Sequence, residues 1–416
     1  MVFHIDGNSF YASCERLFRP DLQKSPIAVL SNNDGIIVAL NAECKTLGFK
    51  RGDVFFKCKH KMETQGVKVF SSNYTLYADI SARMNLIYSR FAPEVEIYSI
   101  DESFLFFPAW KNTDYTEIGS ELKKTVRKET GIPVSVGIAP TKTLAKMCNK
   151  LAKKRDGICS WQTLNHDKEL ANYPAGDLWG VGYSKTAFLK KQGIITALDL
   201  KHYPLCKAKK YLTITGMRTV QELNGIPAID KIREKPHQMI MVSRSFQSPV
   251  FELDEISTAL AEYTQEAVKR IRAEQLLCRY VSVYLMTNAW AEGEQYFNQM
   301  TAELPHPTAC LPHITAAANE LLKRIYRPNY KYRKVMIVLV PGTDFQPNLF
   351  DIQNNQNKPG EPLMHVFDTI NEKYGRGTLK LASSLSSVHS SLEWQIKRDY
   401  LSPRYTTNIA EIPVVF

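Results

Sequence analysis

Two adjacent carboxylates, Asp101 and Glu102, lie within an apolar, strand-like sequence and are the residues best suited to chemistry. Apolar and polar residues alternate before the pair, and the apolar pattern resumes at Phe104, so the pair falls near a turn between two strands. Such a pair is often ordinary turn chemistry. Buried carboxylates repel each other and lose hydration, however, so they persist where a cation lies between them. For oxygen ligands the natural cation is Mg²⁺ or Mn²⁺, and Asp6, at the end of a short apolar strand, could supply a third carboxylate.

Two aromatic residues, Phe10 and Tyr11, follow Asp6 closely. Aromatic rings in such a position commonly pack into a core. The functional alternative is a flat wall beside the acids, against which a sugar or a base could pack. The sequence leaves both interpretations open.

The elements around the acids follow the order β-α-β-β-α-β, which is the ferredoxin-like split unit. A helix with apolar residues at helical spacing begins near Asn73 and precedes the acidic hairpin. A second helix opens at a capping signal at Asp114 and ends at Gly131, before an alternating strand over 133–138. We expect Asp6 on the first strand and Asp101 on the second, with these two strands as central neighbours, so that the carboxylates meet.

The composition is that of a soluble globular protein of two to four domains, since 44% of the 416 residues are hydrophobic. No apolar run approaches the roughly 18 residues of a membrane span, and the N-terminus lacks a signal-peptide pattern, so we expect a cytoplasmic protein. Eight scattered cysteines without a C-x-x-C pair indicate reduced thiols. A zinc site at His306, Cys310 and His313 is disfavoured because the sequence offers no second pair of ligands beside them. The net charge of +11 suggests a polyanionic partner such as nucleic acid.

Beyond residue 140 the sequence suggests segments that bind rather than react. A helix over 142–154 carries lysines that we expect on a solvated face. Gly180 and Gly182 form a Gly-x-Gly turn before Lys185, and such a turn between short helices can expose backbone N–H groups to a phosphate, as in a helix-hairpin-helix. It also occurs as a plain turn. A charged, proline-bearing stretch over 222–236 favours a linker.

A second β-α-β-β-α-β series extends over 239–340 without a matching acidic pair, so we expect a topological echo of the first series that binds or supports. After it, Gln346, Leu349 and Phe350 form a short anchor in polar sequence, which is typical of peptide docking but also arises by chance. One amphipathic helix with Leu363, Val366, Phe367 and Ile370 on its apolar face follows, and the pattern of the remaining tail predicts no particular element.

Six separated motifs point to one family. They are DGNSFYASCE at 6–15, SNNDG at 31–35, SSNYTLYAD at 71–79, YSIDE at 98–102, GIAPTKTLAK at 137–146 and LSPRYTT at 401–407. Together they resemble the Y-family of translesion DNA polymerases, and the resemblance extends over nearly the whole chain, including the tail.

The resemblance implies an α+β, multidomain right-hand fold: a ferredoxin-like palm, fingers, a helical helix-hairpin-helix thumb and a second ferredoxin-like little-finger domain. It places the palm at 1–15 and 74–165, the fingers at 16–73, the thumb at 166–230, a linker at 231–238, the little finger at 239–345, and a clamp-binding peptide with the C-terminal tail at 346–416.

The resemblance also implies roles for individual residues. Asp6, Asp101 and Glu102, with the Gly7 carbonyl, match the ligands of two Mg²⁺ ions, for which Mn²⁺ could substitute. Tyr11 matches the steric gate that excludes a ribose 2′-hydroxyl. The remaining matches are Phe10 beside the gate, Ile36 and Val38 over the nascent base pair, Lys45 and Lys153 on the triphosphate, Gly180, Gly182, Lys185 and Arg244 on DNA, and Gln346, Leu349 and Phe350 on a sliding clamp.

This sequence departs from the family pattern at Pro347 in the clamp peptide, and at Ala39 and Ala42, where many relatives carry a hydroxyl-bearing residue and a tyrosine. The implied activity is error-prone, DNA-templated DNA synthesis past lesions in the SOS response, without proofreading. The implied partners are primer-template DNA, dNTPs, a processed UmuD dimer, RecA and the sliding clamp, with the protein on the nucleoid when acting. The alternatives are a nucleotide cyclase, a repair glycosylase, and a non-catalytic subunit that occupies primer ends.

Overall fold

The computed structural model describes residues 1–108, 113–231, 236–342, 360–375, 377–384 and 397–412. The chain divides into two compact units: Met1–Arg233 together with Arg398–Phe416, and Glu234–Lys397. Within the described ranges, no helix is long and apolar enough to cross a membrane. The cysteines are free thiols.

The first unit contains two sheets and a helical region. Its strands are β1 Val2–Gly7, β2 Ile27–Leu30, β3 Ile37–Leu40, β4 Lys68–Ser71, β5 Glu94–Ile97, β6 Glu102–Phe106, β7 Val134–Ala139 and β8 Ile158–Ser160. Its helices are α1 Phe10–Leu17, α2 Ala42–Thr46, α3 Phe55–Thr64, α4 Tyr74–Phe91, α5 Tyr115–Thr130, α6 Lys142–Ala152, α7 His166–Asn172, α8 Tyr183–Lys191, α9 Ala197–Lys201 and α10 Leu205–Leu223.

The main sheet has the strand order β5-β6-β1-β7-β8. The predicted succession of elements is therefore confirmed, but the prediction that the first two strands are central neighbours is wrong. A strand has only two edges, and β1 uses both, pairing antiparallel with β6 and with β7. The second strand, β5, pairs with β6 and lies at the edge of the sheet. The neighbour of β1 is thus the third strand, which begins at Glu102, and Asp101 lies in the turn just before it.

Caps fix the helices that cover this sheet. The Asn73 side chain accepts a hydrogen bond from the Leu76 N–H at the start of α4, and Asp114 and Thr141 cap α5 and α6 in the same way. The solvated lysine face predicted for α6 is wrong at its first turn. Lys142 is buried and forms an ion pair with buried Glu96 at 2.7 Å. A buried ammonium group needs such a partner, because loss of hydration is otherwise uncompensated.

The second sheet, of order β3-β2-β4, carries the turn with sequence SNNDG. Residues 398–412, here called the C-terminal strap, return to this unit after the whole of the second unit. Leu401 of the strap makes a parallel bridge to Ser71 on β4. The sequence pattern had given no assignment for these residues.

The helical region comprises α7 to α10. Gly182 is the N-cap of α8, and Gly180 has a φ of 82°, a left-handed conformation that favours glycine. The linker expected from residue 222 begins later, because α10 continues to Leu223 and Glu222 is buried. Its carboxylate accepts hydrogen bonds from the backbone of Thr143 at 2.7 Å and of Ala228 at 3.1 Å.

The second unit contains the strands β9 Ile240–Val250, β10 Cys278–Thr287, β11 Phe297–Thr308 and β12 Tyr332–Pro341, and the helices α11 Leu253–Ala273, α12 Leu311–Ile325 and α13 Gly360–Lys373. The predicted succession of elements recurs, but the strand order is β11-β10-β12-β9. The first strand of this series is at an edge rather than at the centre. The second series therefore repeats the first in the order of its elements, but not in the pairing of its strands.

The apolar face predicted for α13 is confirmed at Phe367 and wrong at Leu363 and Val366. Leu363 and Val366 are exposed, whereas Met364 and Phe367 join the core. An ion pair between Arg272 and Asp368 at 2.6 Å fixes that orientation.

Candidate active site

Strand pairing brings the three predicted acids together. Asp6 lies directly opposite Glu102 in the antiparallel register of β1 and β6. The N–H of Gly7 donates to the carbonyl of Asp101 at 2.8 Å. Residues about a hundred positions apart in the chain therefore converge at one end of the sheet, where the turn after β5 meets the end of β1.

Two lysines and a serine hold the carboxylates. The ammonium group of Lys153 lies 2.7 Å from Asp6, and that of Lys146 lies 2.9 Å from Glu102. The Ser99 hydroxyl donates to Asp101 at 2.8 Å. Each acid of the cluster thus has its own polar partner.

The electrostatics of the site differ from one acid to the next. Burial raises the pKa of Asp6, Lys153 opposes that rise, and the charges of Asp101 and Glu102 add to it. Burial also acts to raise the pKa of Glu102, but His4 and Lys146 outweigh it and lower the pKa to about 2. His4, 3.4 Å from Glu102, is itself buried, and desolvation lowers its pKa to about 4. Glu102 is therefore a carboxylate at neutral pH, and His4 is a neutral imidazole.

The donor chemistry of this cluster suits a hard divalent cation, because carboxylate and backbone carbonyl oxygens are the ligands that Mg²⁺ and Mn²⁺ favour. Among the described residues, no group of three or more His, Cys, Asp or Glu side chains is gathered as a metal site. The ion pairs to Lys146 and Lys153 account for this, since they draw Glu102 and Asp6 towards ammonium groups. Cation binding would require these carboxylates to exchange lysine for metal.

The two aromatic residues after Asp6 have different environments. Phe10 is only 3% exposed, and a Cβ on Gly7 would lie 3.0 Å from its ring, so Phe10 is a core residue packed over Gly7. Tyr11 is partly exposed and stacks on Tyr77, with ring centroids 4.4 Å apart and planes at 14°. Tyr74 flanks this stacked pair and makes T-shaped contacts with both rings, with its centroid 6.0 Å from that of Tyr11 and 6.1 Å from that of Tyr77. Of the two rings, Tyr11 can present a flat surface to a ligand.

Glu15, one helical turn beyond Tyr11, is fully buried and accepts a hydrogen bond of 2.6 Å from the Tyr77 hydroxyl. Burial raises its pKa to about 7, although the hydroxyls of Tyr77 and Ser402 oppose the rise. Burial is the main cause of the raised pKa values of Cys14 and Tyr405, and the charge of Glu15 raises them further.

This pKa predicts a pH-dependent contribution to stability. The folded pKa lies above the unfolded value of 4.5, so the folded state binds more protons between about pH 4.5 and 7, and stability falls as the pH rises through that window. Glu15→Gln removes the titrating group and with it this loss of stability. We therefore expect the free energy of unfolding to fall between pH 4.5 and pH 8 by roughly 2–3 kcal/mol less in this variant than in wild type. Urea unfolding at both pH values tests this, with exposed Glu63→Gln as the control; equal pH dependence in wild type and Glu15→Gln would contradict it.

The remaining predicted nucleotide-binding residues occupy the second sheet and its helix. Val38 packs against the same core cluster as Tyr11, and Ile36 is exposed beside its bridge to Val54. Lys45 is exposed on α2, and none of the described contacts joins it to the acids. The structure therefore brings Lys153 to the carboxylates but does not bring Lys45 there.

The predicted DNA-binding residues are held within their own units. The Lys185 ammonium group donates to the Gly180 carbonyl at 3.1 Å and to Thr215 at 2.8 Å. Arg244 lies on β9, as expected, and pairs with Glu266 at 2.8 Å. Gln346, Leu349 and Phe350 lie outside the described residues.

Sequence reasoning missed His4 and Lys146 as partners of Glu102, and Arg51, whose positive charge acts on Tyr11. Lys146 lies over the rings of Tyr98 and Trp179, 4.5 and 5.3 Å from their centroids. The four-residue spacing of Lys142 and Lys146 was an available signal, since it places both on the helix face towards the sheet. A cavity of about 270 Å³ adjoins the acids, lined by residues that include His4, Asp6, Glu102, Lys146, Lys153 and Trp179.

Three family models match the chain. The impB/mucB/samB family matches residues 5–150, its C-terminal domain matches 237–340, and a domain of unknown function, DUF4113, matches 361–415. Protein UmuC of Salmonella typhimurium is 40% identical over 98% of this chain and 98% of its own length. Protein MucB of Escherichia coli is 38% identical over 99% of this chain and 98% of its own length.

The fold has solved counterparts. A Y-family DNA polymerase chimera of Dbh and Dpo4 superposes with a TM-score of 0.65 at 19% identity, over 82% of this chain and 98% of that one. A Dbh ternary complex gives 0.55 at 18% identity with the same coverage. The identity to UmuC over nearly the full length and the two matching family models show that the chain belongs to the impB/mucB/samB family, and it shares the fold of the solved Y-family DNA polymerases.

Proposed function

We propose that this protein is an error-prone, DNA-templated DNA polymerase that extends primers past damaged bases, by two-metal nucleotidyl transfer at Asp6, Asp101 and Glu102. The observation that carries the proposal is the register that sets Asp6 opposite Glu102, with Asp101 hydrogen-bonded through its carbonyl to Gly7. Full-length similarity to UmuC supports the reaction type.

Asp6, Asp101, Glu102 and the Gly7 carbonyl would hold two divalent cations, Mg²⁺ or Mn²⁺. When bound, the cations supply positive charge that activates the primer 3′-hydroxyl and neutralises the α-phosphate and the pyrophosphate leaving group. The chain itself favours the charged form of two acids: His4 and Lys146 lower the pKa of Glu102, and Lys153 opposes the rise that burial imposes on the pKa of Asp6. Glu102 is therefore already charged when a cation replaces its lysine partner.

Tyr11 forms the surface under the incoming sugar in this proposal, and Phe10 fixes the backbone that presents it. Ile36 and Val38 would cover the nascent base pair, and Lys45 and Lys153 would hold the triphosphate. Lys153 is 41% exposed, so its ammonium group can exchange Asp6 for a phosphate once a cation takes the carboxylate.

Lys153→Met is expected to raise KM for the incoming dNTP about ten- to a hundredfold, because a charge-assisted contact to phosphate contributes on the order of 1.5–3 kcal/mol. Steady-state single-nucleotide incorporation tests this. Lys150→Met, which removes an exposed lysine of the same helix that pairs with Asp177, is the matched control and should leave KM within about twofold. Equal KM values for Lys153→Met and wild type would exclude the triphosphate contact.

The basic charge and the Gly-x-Gly turn support binding of the DNA backbone. Gly180 and Gly182 precede the N-terminus of α8, where free N–H groups suit a phosphate, and Lys185 lies in the first turn. Arg244 on β9 is proposed to contact template phosphates. The boundaries given above for palm, fingers, thumb and little finger remain proposals that follow the family pattern.

The proposed biological setting is the SOS response in the bacterial cytoplasm, on the nucleoid. A processed UmuD dimer, RecA and a sliding clamp are the proposed partners, with Gln346, Leu349 and Phe350 at the clamp. The family resemblance supports them.

Primer extension tests the proposal. The protein, Mg²⁺ and single dNTPs are supplied with a primer annealed to an undamaged template or to one with an abasic site, with and without the proposed partners. We expect template-directed addition on the first template and addition past the lesion on the second. Binding of primer ends without synthesis under every condition would contradict the proposal and favour a non-catalytic subunit.

A further inference from the structure

We propose that the C-terminal strap positions the Tyr11 ring, so that Ser402 and Tyr405, almost four hundred residues away in sequence, help to set the discrimination between deoxyribose and ribose. This inference rests on the proposed role of Tyr11 as the surface under the sugar. Ser402 and Tyr405 are positioning residues, since they act through the groups that support the ring.

The first link between the strap and the ring is the start of α4. Tyr74 and Tyr77, which pack against Tyr11, are the first and fourth residues of this helix. The side-chain oxygen of Asn73, Oδ1, caps the helix, and its side-chain nitrogen, Nδ2, donates to the Ser402 hydroxyl at 2.9 Å. Both groups of this hydrogen bond are buried. One side chain therefore fixes the helix end that carries the two supporting rings and joins it to the strap.

The second link is α1, the helix that carries Tyr11. The hydroxyls of Ser402 and Tyr77 both interact with the Glu15 carboxylate, one turn from Tyr11. At the end of the same helix, Tyr405 stacks on Phe18, with ring centroids 4.4 Å apart and planes at 11°. The strap therefore contacts the helix of the ring as well as the helix behind it.

The third link is the turn before Ile36. The two carboxylate oxygens of Asp34 accept from the Ser71 hydroxyl at 2.6 Å and from the backbone N–H of Asp399 at 2.9 Å. Ser71 and Tyr400 also exchange hydrogen bonds, at 2.9 and 3.0 Å. The strap thus holds the turn of the small sheet and the two helices around Tyr11 together.

The hydrogen bonds from Asn73 to Ser402 and from Ser71 to Asp34 are buried, and for that reason they determine position strongly. A buried hydrogen-bonding group left without its partner is costly, so the native arrangement is favoured over displaced ones. Exclusion of a hydroxyl by a ring depends on small displacements, because repulsion rises steeply at contact. Loosening the strap should therefore relax the exclusion of ribose before it abolishes synthesis.

The experiment compares Ser402→Ala and Tyr405→Ala with wild type in single-nucleotide incorporation, and measures the ratio of kcat/KM for a dNTP to that for the matching rNTP. A fraction of unfolded enzyme cancels in this ratio, so a loss of folding alone does not change it. We expect the ratio to fall about three- to tenfold in each variant, the size of one buried hydrogen bond or aromatic pair. Arg404→Ala, which removes a strap side chain paired with Glu411, should leave the ratio unchanged.

Tyr11→Ala in the same assay separates the two proposals. A low ratio in Tyr11→Ala with wild-type ratios in both Ser402→Ala and Tyr405→Ala would overturn the role of the strap and leave the role of Tyr11 intact. A wild-type ratio in Tyr11→Ala would overturn the role of Tyr11, and that of the strap with it. Lower ratios in all three variants support the inference.

Discussion

Asp101→Ala is expected to lower the rate of nucleotide incorporation by about a thousandfold or more. The substitution removes a carboxylate from the turn just before β6, leaving Asp6 and Glu102 to hold the cations. Loss of one preorganised charged group at a reacting centre typically costs about a hundred- to a thousandfold, and loss of a metal ligand also weakens cation binding. Single-turnover incorporation at saturating dNTP and Mg²⁺ measures the effect.

Two variants control this prediction. Asp101→Asn keeps the shape of the side chain and removes its charge, so it should be nearly as inactive as Asp101→Ala. Asp21→Ala removes an exposed carboxylate that pairs with Arg19 at 2.7 Å, and it should retain the wild-type rate within about twofold. Incorporation by Asp101→Ala at near the wild-type rate would defeat the assignment of the acids.

Tyr11→Ala is expected to reduce discrimination against ribonucleotides by about a hundredfold. In the wild type, the ring stacks on Tyr77 and is flanked by Tyr74, so it cannot retreat from a ribose 2′-hydroxyl without disturbing these contacts. Forcing extra atoms into a packed site costs about 1–3 kcal/mol or more, and the upper part of that range corresponds to a hundredfold. The small alanine side chain leaves room for the hydroxyl.

Tyr11→Phe is the matched control, because it keeps the ring and removes only the phenolic oxygen. It should retain nearly full discrimination. The measurement is again the ratio of kcat/KM for a dNTP and its rNTP. Similar ratios for Tyr11→Ala and Tyr11→Phe would show that the ring does not exclude ribose.

Local patterns in the sequence predicted much of the fold around the site. Alternation and turn residues located the hairpin that carries Asp101 and Glu102. Helical spacing located the helix that begins near Asn73, and a capping signal located the one that begins after Asp114. The pairing of the strands was harder to predict from the sequence. The period of a strand shows which residues share a face, but it does not show which other strand lies beside it, and so the wrong neighbour was assigned to β1.

The charged partners of the site were harder to predict. Charge and spacing made the lysines of α6 look solvated, whereas Lys142, Lys146 and Lys153 each pair with an acid that lies far away in the chain. The strap was missed for a similar reason. Its hydrogen bond from Asn73 to Ser402 joins residues 329 positions apart, and short polar segments of this kind show no periodicity of their own.

Binding of Mn²⁺ measured by electron paramagnetic resonance, with the protein on primer-template DNA and a non-reactive dNTP analogue, tests most directly whether the acids hold cations. The account predicts tightly bound Mn²⁺ in the wild type and the loss of most of it in Asp6→Asn and Asp101→Asn, with Asp21→Ala unchanged. Equal Mn²⁺ binding by wild type and by both site variants would contradict it.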